Sequence, residues 1–255
     1  MILHTIESGD GPPVALLHGL FGSARNLGVV QRALAARYRV LALDMRNHGA
    51  SPHAAAMDYP AMAADVLDTL DQRSALPGVL IGHSMGGKAA MMAALRRPEL
   101  VTRLVAADIA PVPYQHDNAR IAAALLALKL TPGLTRAAAD AALAQAVPDP
   151  GMRAFLLQNL VPGAHPSWRI GLREIAGAMP AIEGWETPAG AIYRGPALFV
   201  AGAESGYVRM EDRPAIRTLF PAARFVTLKR AGHWLHADNP EGFVSILEAF
   251  LAAPV

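Results

Sequence analysis

The feature that most constrains this chain is the turn Gly82-His83-Ser84-Met85-Gly86-Gly87. It follows the apolar run Val79-Leu80-Ile81 and precedes an Ala- and Met-rich stretch that begins at Lys88. Such a succession predicts a strand that turns directly into a helix. A turn this tight brings two backbones together, so small residues are needed on both sides of its apex. Gly82 and Gly86 supply the room, and Ser84 is held exposed in a strained conformation. The following helix aims its N-terminus at Ser84, which favours an oxyanion there. Ser84 is therefore the candidate nucleophile. The predicted strand before it and helix after it make the motif far more specific than its glycines alone.

The rest of the chain supplies the sheet that such a turn needs. Apolar runs of strand length occur at 14–17, 39–43, 78–81 and 104–107. They are continuous rather than alternating, as in strands buried on both faces of a parallel sheet. Helical periodicity separates them at 24–37, 59–70 and 88–97. Strands alternating with helices predict an α/β class with a mostly parallel central sheet flanked by helices. After Pro113 the alternation stops. Helices are expected near 116–130, 135–146, 150–160 and 167–178, with Thr135 and Ser167 as N-caps. Strands resume at 197–201 and 224–228, and a last helix covers 240–251. The expected organisation is a core of residues 1–113 and 191–255 with a helical lid insertion at 114–190.

Composition agrees with one large, buried core. Hydrophobic residues make up 53% of the 255 and charged residues 17%. There are 23 Lys+Arg against 21 Asp+Glu, and no block of like charge, so nucleic acid is not an expected partner. The absence of cysteine excludes disulfides, Cys-ligated metals and a thiolate nucleophile. The N-terminus does not read as a secretory signal. The apolar segment 121–128 is too short to cross a bilayer. A cytoplasmic protein without a membrane partner is expected, as a monomer or homodimer.

A nucleophilic serine needs oxyanion donors, a base and an acid. The donors in this architecture are the N–H after the nucleophile and an N–H from an earlier strand–helix loop. Met85 supplies the first. Leu20, in His18-Gly19-Leu20-Phe21-Gly22, is the choice for the second, with Phe21 as the alternative. His18 reads as a structural tie within its loop. The base should follow the last strand, which selects His233 in Ala231-Gly232-His233-Trp234, with Gly232 permitting a sharp turn. His236 competes, and with Asp238 it could suggest a metal pair, but no third ligand has zinc-like spacing. Neither metal nor cofactor is expected. The acid has two candidate positions. One follows the strand at 197–201, where an aspartate is often expected but Ser205 stands, with Glu204 beside it. The other is Asp108, after the strand at 104–107. Asp108 is the favoured acid, and a loop cap is its plainer reading.

The stretches HGLFGSARN, DMRNHGASP, GHSMGGKAAM, LVAADIAPVPY, FVAGAESGYV and AGHWLHADNP resemble the YbfF-type bacterial esterases and their relatives in the abhydrolase group. The likeness spans nearly the whole chain and is weakest in the helical insertion. It implies an α/β-hydrolase fold with a catalytic triad at Ser84, Asp108 and His233. That group likewise has a serine at the position of Ser205. It also implies cofactor-free hydrolysis of esters, or of thioesters, of short to medium acyl chains.

In such a protein the insertion should cover the site, because ligands bind at the carboxyl edge of the sheet. Phe21, Trp234 and Tyr207 are expected to contact substrate. Leu125, Leu128, Leu130, Phe155, Leu156, Leu160, Trp168 and Trp185 could line an acyl pocket or merely pack helices together. Arg25, Arg120 or Arg209 could meet an anionic leaving group such as coenzyme A. Other reactions on the same residues remain open, namely carbon–carbon bond hydrolysis or peracid formation, as does a non-catalytic binding protein.

Overall fold

The computed structural model describes residues 1–115 and 117–254. In chain order its strands are β1 (Thr5–Ser8), β2 (Pro13–Leu17), β3 (Arg39–Leu43), β4 (Gly78–His83), β5 (Val101–Ala107), β6 (Leu160–Val161), β7 (Ser167–Trp168), β8 (Ala197–Gly202) and β9 (Ala223–Leu228). Its α-helices are α1 (Gly28–Leu34), α2 (Tyr59–Gln72), α3 (Met85–Arg96), α4 (Asn118–Ala127), α5 (Arg136–Leu143), α6 (Pro150–Leu156), α7 (Leu172–Gly177), α8 (Met179–Glu183), α9 (Arg213–Leu219), α10 (Leu235–Asp238) and α11 (Pro240–Ala252).

Seven strands form one sheet in the order β1-β3-β2-β4-β5-β8-β9. Only β1 runs antiparallel, against β3. Alternation along each strand divides the interior into two layers. Ala15, Leu17, Leu41, Leu43, Leu80, Leu104 and Ala106 face α2 and α3. Val14, Leu16, Val40, Ala42, Val79, Ile81 and Val105 face α1 and α11. Local sequence fixes the helix starts. Asp58 accepts from Ala61 N at 2.8 Å and Pro60 sits in the first turn of α2, while Asn239 accepts from Gly242 N at 3.1 Å to cap α11.

Chain order reverses around β2: the chain passes from β2 to β3 on one side, then back across to β4 on the other. The crevice between the carboxyl ends of β2 and β4 is thus a topological switch point, where ligands bind in open α/β sheets. The turn at Ser84 and the loop His18–Gly22 both open onto it.

Between β5 and β8 lie α4 to α8 and the β6–β7 pair, so this segment is not helical throughout. Thr135 caps α5, accepting from Ala138 N at 3.2 Å. Ser167 caps nothing: it pairs with Val161 in β7, and the helix begins only at Leu172, after Gly171. The strand β1 has no counterpart in the sequence reading, because Thr5-Ile6-Glu7-Ser8 holds a single strongly apolar residue. Helix α9 is too short, and too polar apart from Ile216 and Leu219, to show a helical stripe. His116, and with it the start of the helix expected at 116–130, lies outside the described residues.

The segment is tied to the sheet's carboxyl edge by hydrogen bonds. Asn159 Nδ2 donates to Phe21 O at 2.7 Å, and the Tyr59 hydroxyl donates to Ile182 O. Its apolar residues Leu125, Leu143 and Leu156 belong to the same continuous core as α2 and α3.

Candidate active site

Ser84 stands between β4 and α3 with φ 53° and ψ −119°, a conformation that only a constrained turn imposes on a residue with a side chain. Two close approaches hold it. A Cβ on Gly82 would lie 2.2 Å from Gly86 O, and one on Gly86 would lie 2.4 Å from Leu17 O. Ser84 N also donates to Ala107 O at 3.0 Å, which continues the β4–β5 ladder into the turn.

His233 arrives from the loop after β9. Its Nε2 lies 3.1 Å from Ser84 Oγ, and its Nδ1 lies 2.8 Å from Asp108 Oδ2. Asp108 is fully buried at the end of β5, also at a positive φ of 52°. Its Oδ1 accepts from Gly202 N at 2.9 Å, and its Oδ2 accepts from the Ser205 hydroxyl as well as from His233. Ser205 therefore occupies the strand end where an aspartate was conceivable and supports the carboxylate that comes from β5. Glu204 is exposed, and its backbone N–H bonds Ala231 O at 2.9 Å. The His233 ring packs between neighbours in the site: Tyr207 stacks on it at 3.7 Å with planes 15° apart, and His83 lies 4.8 Å away, tilted by 45°.

The expected reason for the His233 turn needs correction. Gly232 is not at positive φ, and a Cβ there would meet nothing closer than Asp238 Oδ2 at 3.4 Å. The left-handed residue is Arg230, at φ 55°. The close approach falls instead on Gly202, where a Cβ would lie 2.2 Å from Gly232 O. Asp238 accepts from Gly232 N at 2.8 Å and so closes the turn. His236 packs edge-on to His83 at 4.9 Å and makes no bond to Ser84.

Leu20 and Met85 both line the cavity beside Ser84, and neither N–H has an acceptor among the described residues. Phe21 differs: its N–H donates to His48 Nε2 at 3.0 Å and is closed to a ligand. His18 ties the same loop, with Nδ1 donating to Gly19 O at 2.7 Å and Nε2 accepting from Met45 N at 3.0 Å.

The side chains of Phe21, Tyr207 and Trp234 line the cavity. Of the large apolar residues singled out in the insertion, only Phe155 does so, packed on Trp234 at 5.4 Å. Leu125, Leu156 and Leu160 are core; Leu128, Leu130 and Trp168 face a separate depression beside His53; and Trp185 packs on Tyr59. Arg25, Arg120 and Arg209 lie outside the cavity, with Arg120 paired to Asp117 and Arg209 to Glu211. The sequence reading passed over Lys88 and Glu183, which also line it. The spacing of four between Ser84 and Lys88 was a signal for the first, since it puts both on one helix face.

Four histidines around the site are held neutral. Burial pushes His48 down to about 3 and His236 to about 4, and lowers His18 and His83 as well. In the unfolded chain each would titrate near about 6.5. Below that pH the unfolded state binds protons that the folded state refuses, so stability present above about 6.5 is lost as pH falls toward the folded values. The loss is about 1.4 kcal/mol per pH unit for His48 and for His236 while the pH stays above their folded values. The urea midpoint should therefore fall steadily from about pH 6.5 to about pH 5. His48→Gln, which can still accept from Phe21 N, should give a shallower fall. Equal slopes in the two proteins would show that His48 contributes nothing to acid sensitivity.

The profile of a family described as the alpha/beta hydrolase fold matches residues 12–240. The chain is 42% identical over 260 residues to the mouse protein named sn-1-specific diacylglycerol lipase ABHD11, covering 98% of this chain and 84% of that one. It is 41% identical over 246 residues to esterase YbfF of Escherichia coli, covering 95% and 94%. Among solved structures, one described as a marine microorganism esterase superposes with a TM-score of 0.94 at 34% identity, covering 98% and 99%.

Proposed function

The chain belongs to the α/β-hydrolase fold family, and we propose on that premise that it cleaves carboxylic esters of short to medium acyl chains through an acyl-enzyme on Ser84. That it is a carboxylic ester hydrolase follows from relatives 41% and 42% identical over nearly its full length, which bear esterase and lipase names. The observation that carries the mechanism is the unbroken relay from Ser84 Oγ to His233 Nε2 at 3.1 Å and from His233 Nδ1 to Asp108 at 2.8 Å.

In the first half-reaction Ser84 Oγ attacks the ester carbonyl carbon while His233 Nε2 takes its proton. The negative oxygen that forms is held by the N–H groups of Leu20 and Met85, donors already fixed before the charge appears. Asp108 stabilises the imidazolium and keeps Nδ1 protonated. The C–O bond to the alcohol breaks as His233 returns the proton to the leaving oxygen. In the second half, water attacks the acyl-Ser84, with the same histidine as base, and releases the acid. Each step is complete with these groups and water. The segment 114–190 acts as a lid over residues 1–113 and 191–255, placing Phe155 against the substrate opposite Phe21, Trp234 and Tyr207.

Competition between water and hydroxylamine tests the acyl-enzyme. Esters of one acid with several alcohols should divide their acyl group between free acid and hydroxamate in one constant ratio, because all pass through the same acyl-Ser84. A ratio that changes with the alcohol would remove the common intermediate. With p-nitrophenyl esters of increasing length, turnover should rise and then fall within the short-to-medium range. An absence of turnover on every ester would overturn the reading.

A further inference from the structure

One helical turn after Ser84, α3 carries a lysine that the proton relay does not use. Lys88 is 1% exposed, yet its side chain lines the same cavity as Ser84. Long side chains on a helix lean toward its N-terminus, here toward Ser84. Nζ donates to Gly184 O at 2.7 Å and to Glu183 O at 3.3 Å. The rings of Tyr114 and Tyr59 lie 4.8 and 5.3 Å from it. An ammonium has three N–H donors, so these two carbonyls leave one. The Glu183 side chain shares the cavity wall, and its Oε1 is buried with no hydrogen-bond partner among the described residues. A buried donor with capacity to spare thus shares the substrate cavity with a buried acceptor oxygen that has no partner among the described residues. Buried polar groups are rarely left so, and in the wall of a substrate cavity a substrate group can supply the missing partner.

We propose that Lys88 and Glu183 form a hydroxyl-recognition subsite, which selects esters that carry an alcohol group a few bonds from the scissile carbonyl. The inference rests on the ester-hydrolase reading above and adds the chemical class of substrate. A hydroxyl is the smallest group that accepts and donates at once. Its oxygen accepts from Lys88 Nζ and its proton goes to Glu183 Oε1. A terminal carboxylate would suit Lys88 but would set its lone pairs against Glu183 Oε1. A terminal ammonium would reverse the fault, and an alkyl end would leave both groups unpaired.

Matched ester pairs test the subsite at whichever end of the substrate it grips. One series is butyrate monoesters of linear diols, each compared with the alkyl butyrate in which methyl replaces the terminal hydroxyl. The other is ethyl esters of ω-hydroxy acids, compared with their ω-methyl counterparts. At the best length in one series, kcat/KM for the hydroxylated ester should exceed its partner by about 10–100-fold, the effect of a hydrogen bond to a charged group. That ratio should fall toward one in Lys88→Met and in Glu183→Met. The second variant leaves the Lys88-to-carbonyl bonds in place, so a general loosening of the cap does not explain its effect. A wild-type ratio near one at every length would overturn the proposal. So would a ratio unchanged in both variants, or a preference for the corresponding ω-carboxylate ester. Turnover of the alkyl esters by the wild type reports separately on ester hydrolysis itself, so the two readings fail independently.

Discussion

Replacing Ser84 by alanine is expected to lower kcat for ester hydrolysis by about 10⁶-fold, the loss seen when a serine-triad nucleophile is removed. The substitution takes away one oxygen and little else. Alanine is no more strained than serine at φ 53°, and the bonds that fix the turn, Ser84 N to Ala107 O and Lys88 N to Ser84 O, are main-chain bonds. The thermal midpoint should therefore stay close to that of the wild type, and Leu20 and Met85 should still present their N–H groups. A small residual rate over uncatalysed hydrolysis is expected, because an oxyanion hole and substrate binding alone retain about 10³–10⁴-fold. The check is steady-state hydrolysis of a p-nitrophenyl ester beside a melting curve. A folded variant with wild-type turnover would remove Ser84 from the chemistry.

The second large effect concerns the acid. Asp108→Asn should reduce turnover by about 10⁴-fold, through the tautomer of the base rather than through lost packing. The amide introduced by this substitution has one acceptor oxygen, and Gly202 N needs it in place of Oδ1. The NH₂ group then replaces Oδ2 and faces His233 Nδ1 at the present 2.8 Å. It donates there, which forces the imidazole proton onto Nε2, where it blocks transfer from Ser84. Glu204→Gln should keep turnover within about twofold, since an exposed side chain away from the relay has little to change. The opposite pair of results, loss in Glu204→Gln and none in Asp108→Asn, would move the acid to the loop after β8.

The nucleophile turn and the strand runs could be read locally because their signals are local. Gly82 reports a backbone contact with Gly86 four residues on, and continuous apolar runs report burial on both faces. The reading weakened wherever the decisive partner is distant in sequence. Asp108 and Ser205 are 97 residues apart, and nothing short of their meeting explains why a serine serves at the end of β8. Gly232 looked like the hinge of the histidine loop, whereas the steric demand falls on Gly202, on another strand. Between β5 and β8, apolar residues at helical spacing could not be sorted into pocket and core, and only Phe155 of those considered lines the cavity.

Lys88 and Glu183 show the same division. A lysine four residues beyond a nucleophilic serine is legible as a neighbour on one helix face, but its burial depends on α8 and on Tyr59 and Tyr114, which are far away in the chain. By itself the sequence determined the α/β class, the apex serine, the late histidine and the glycine-bearing loop after β2, because each follows from turn geometry and periodicity over a short stretch of chain. Only the tertiary structure decided that Phe21 N–H is taken by His48 while Leu20 N–H has no acceptor among the described residues, that Asp108 meets His233, and which polar groups share the cavity wall. Those outcomes depend on hydrogen-bond partners brought together by the crossing order of the strands, and a pattern along one chain does not encode that order locally.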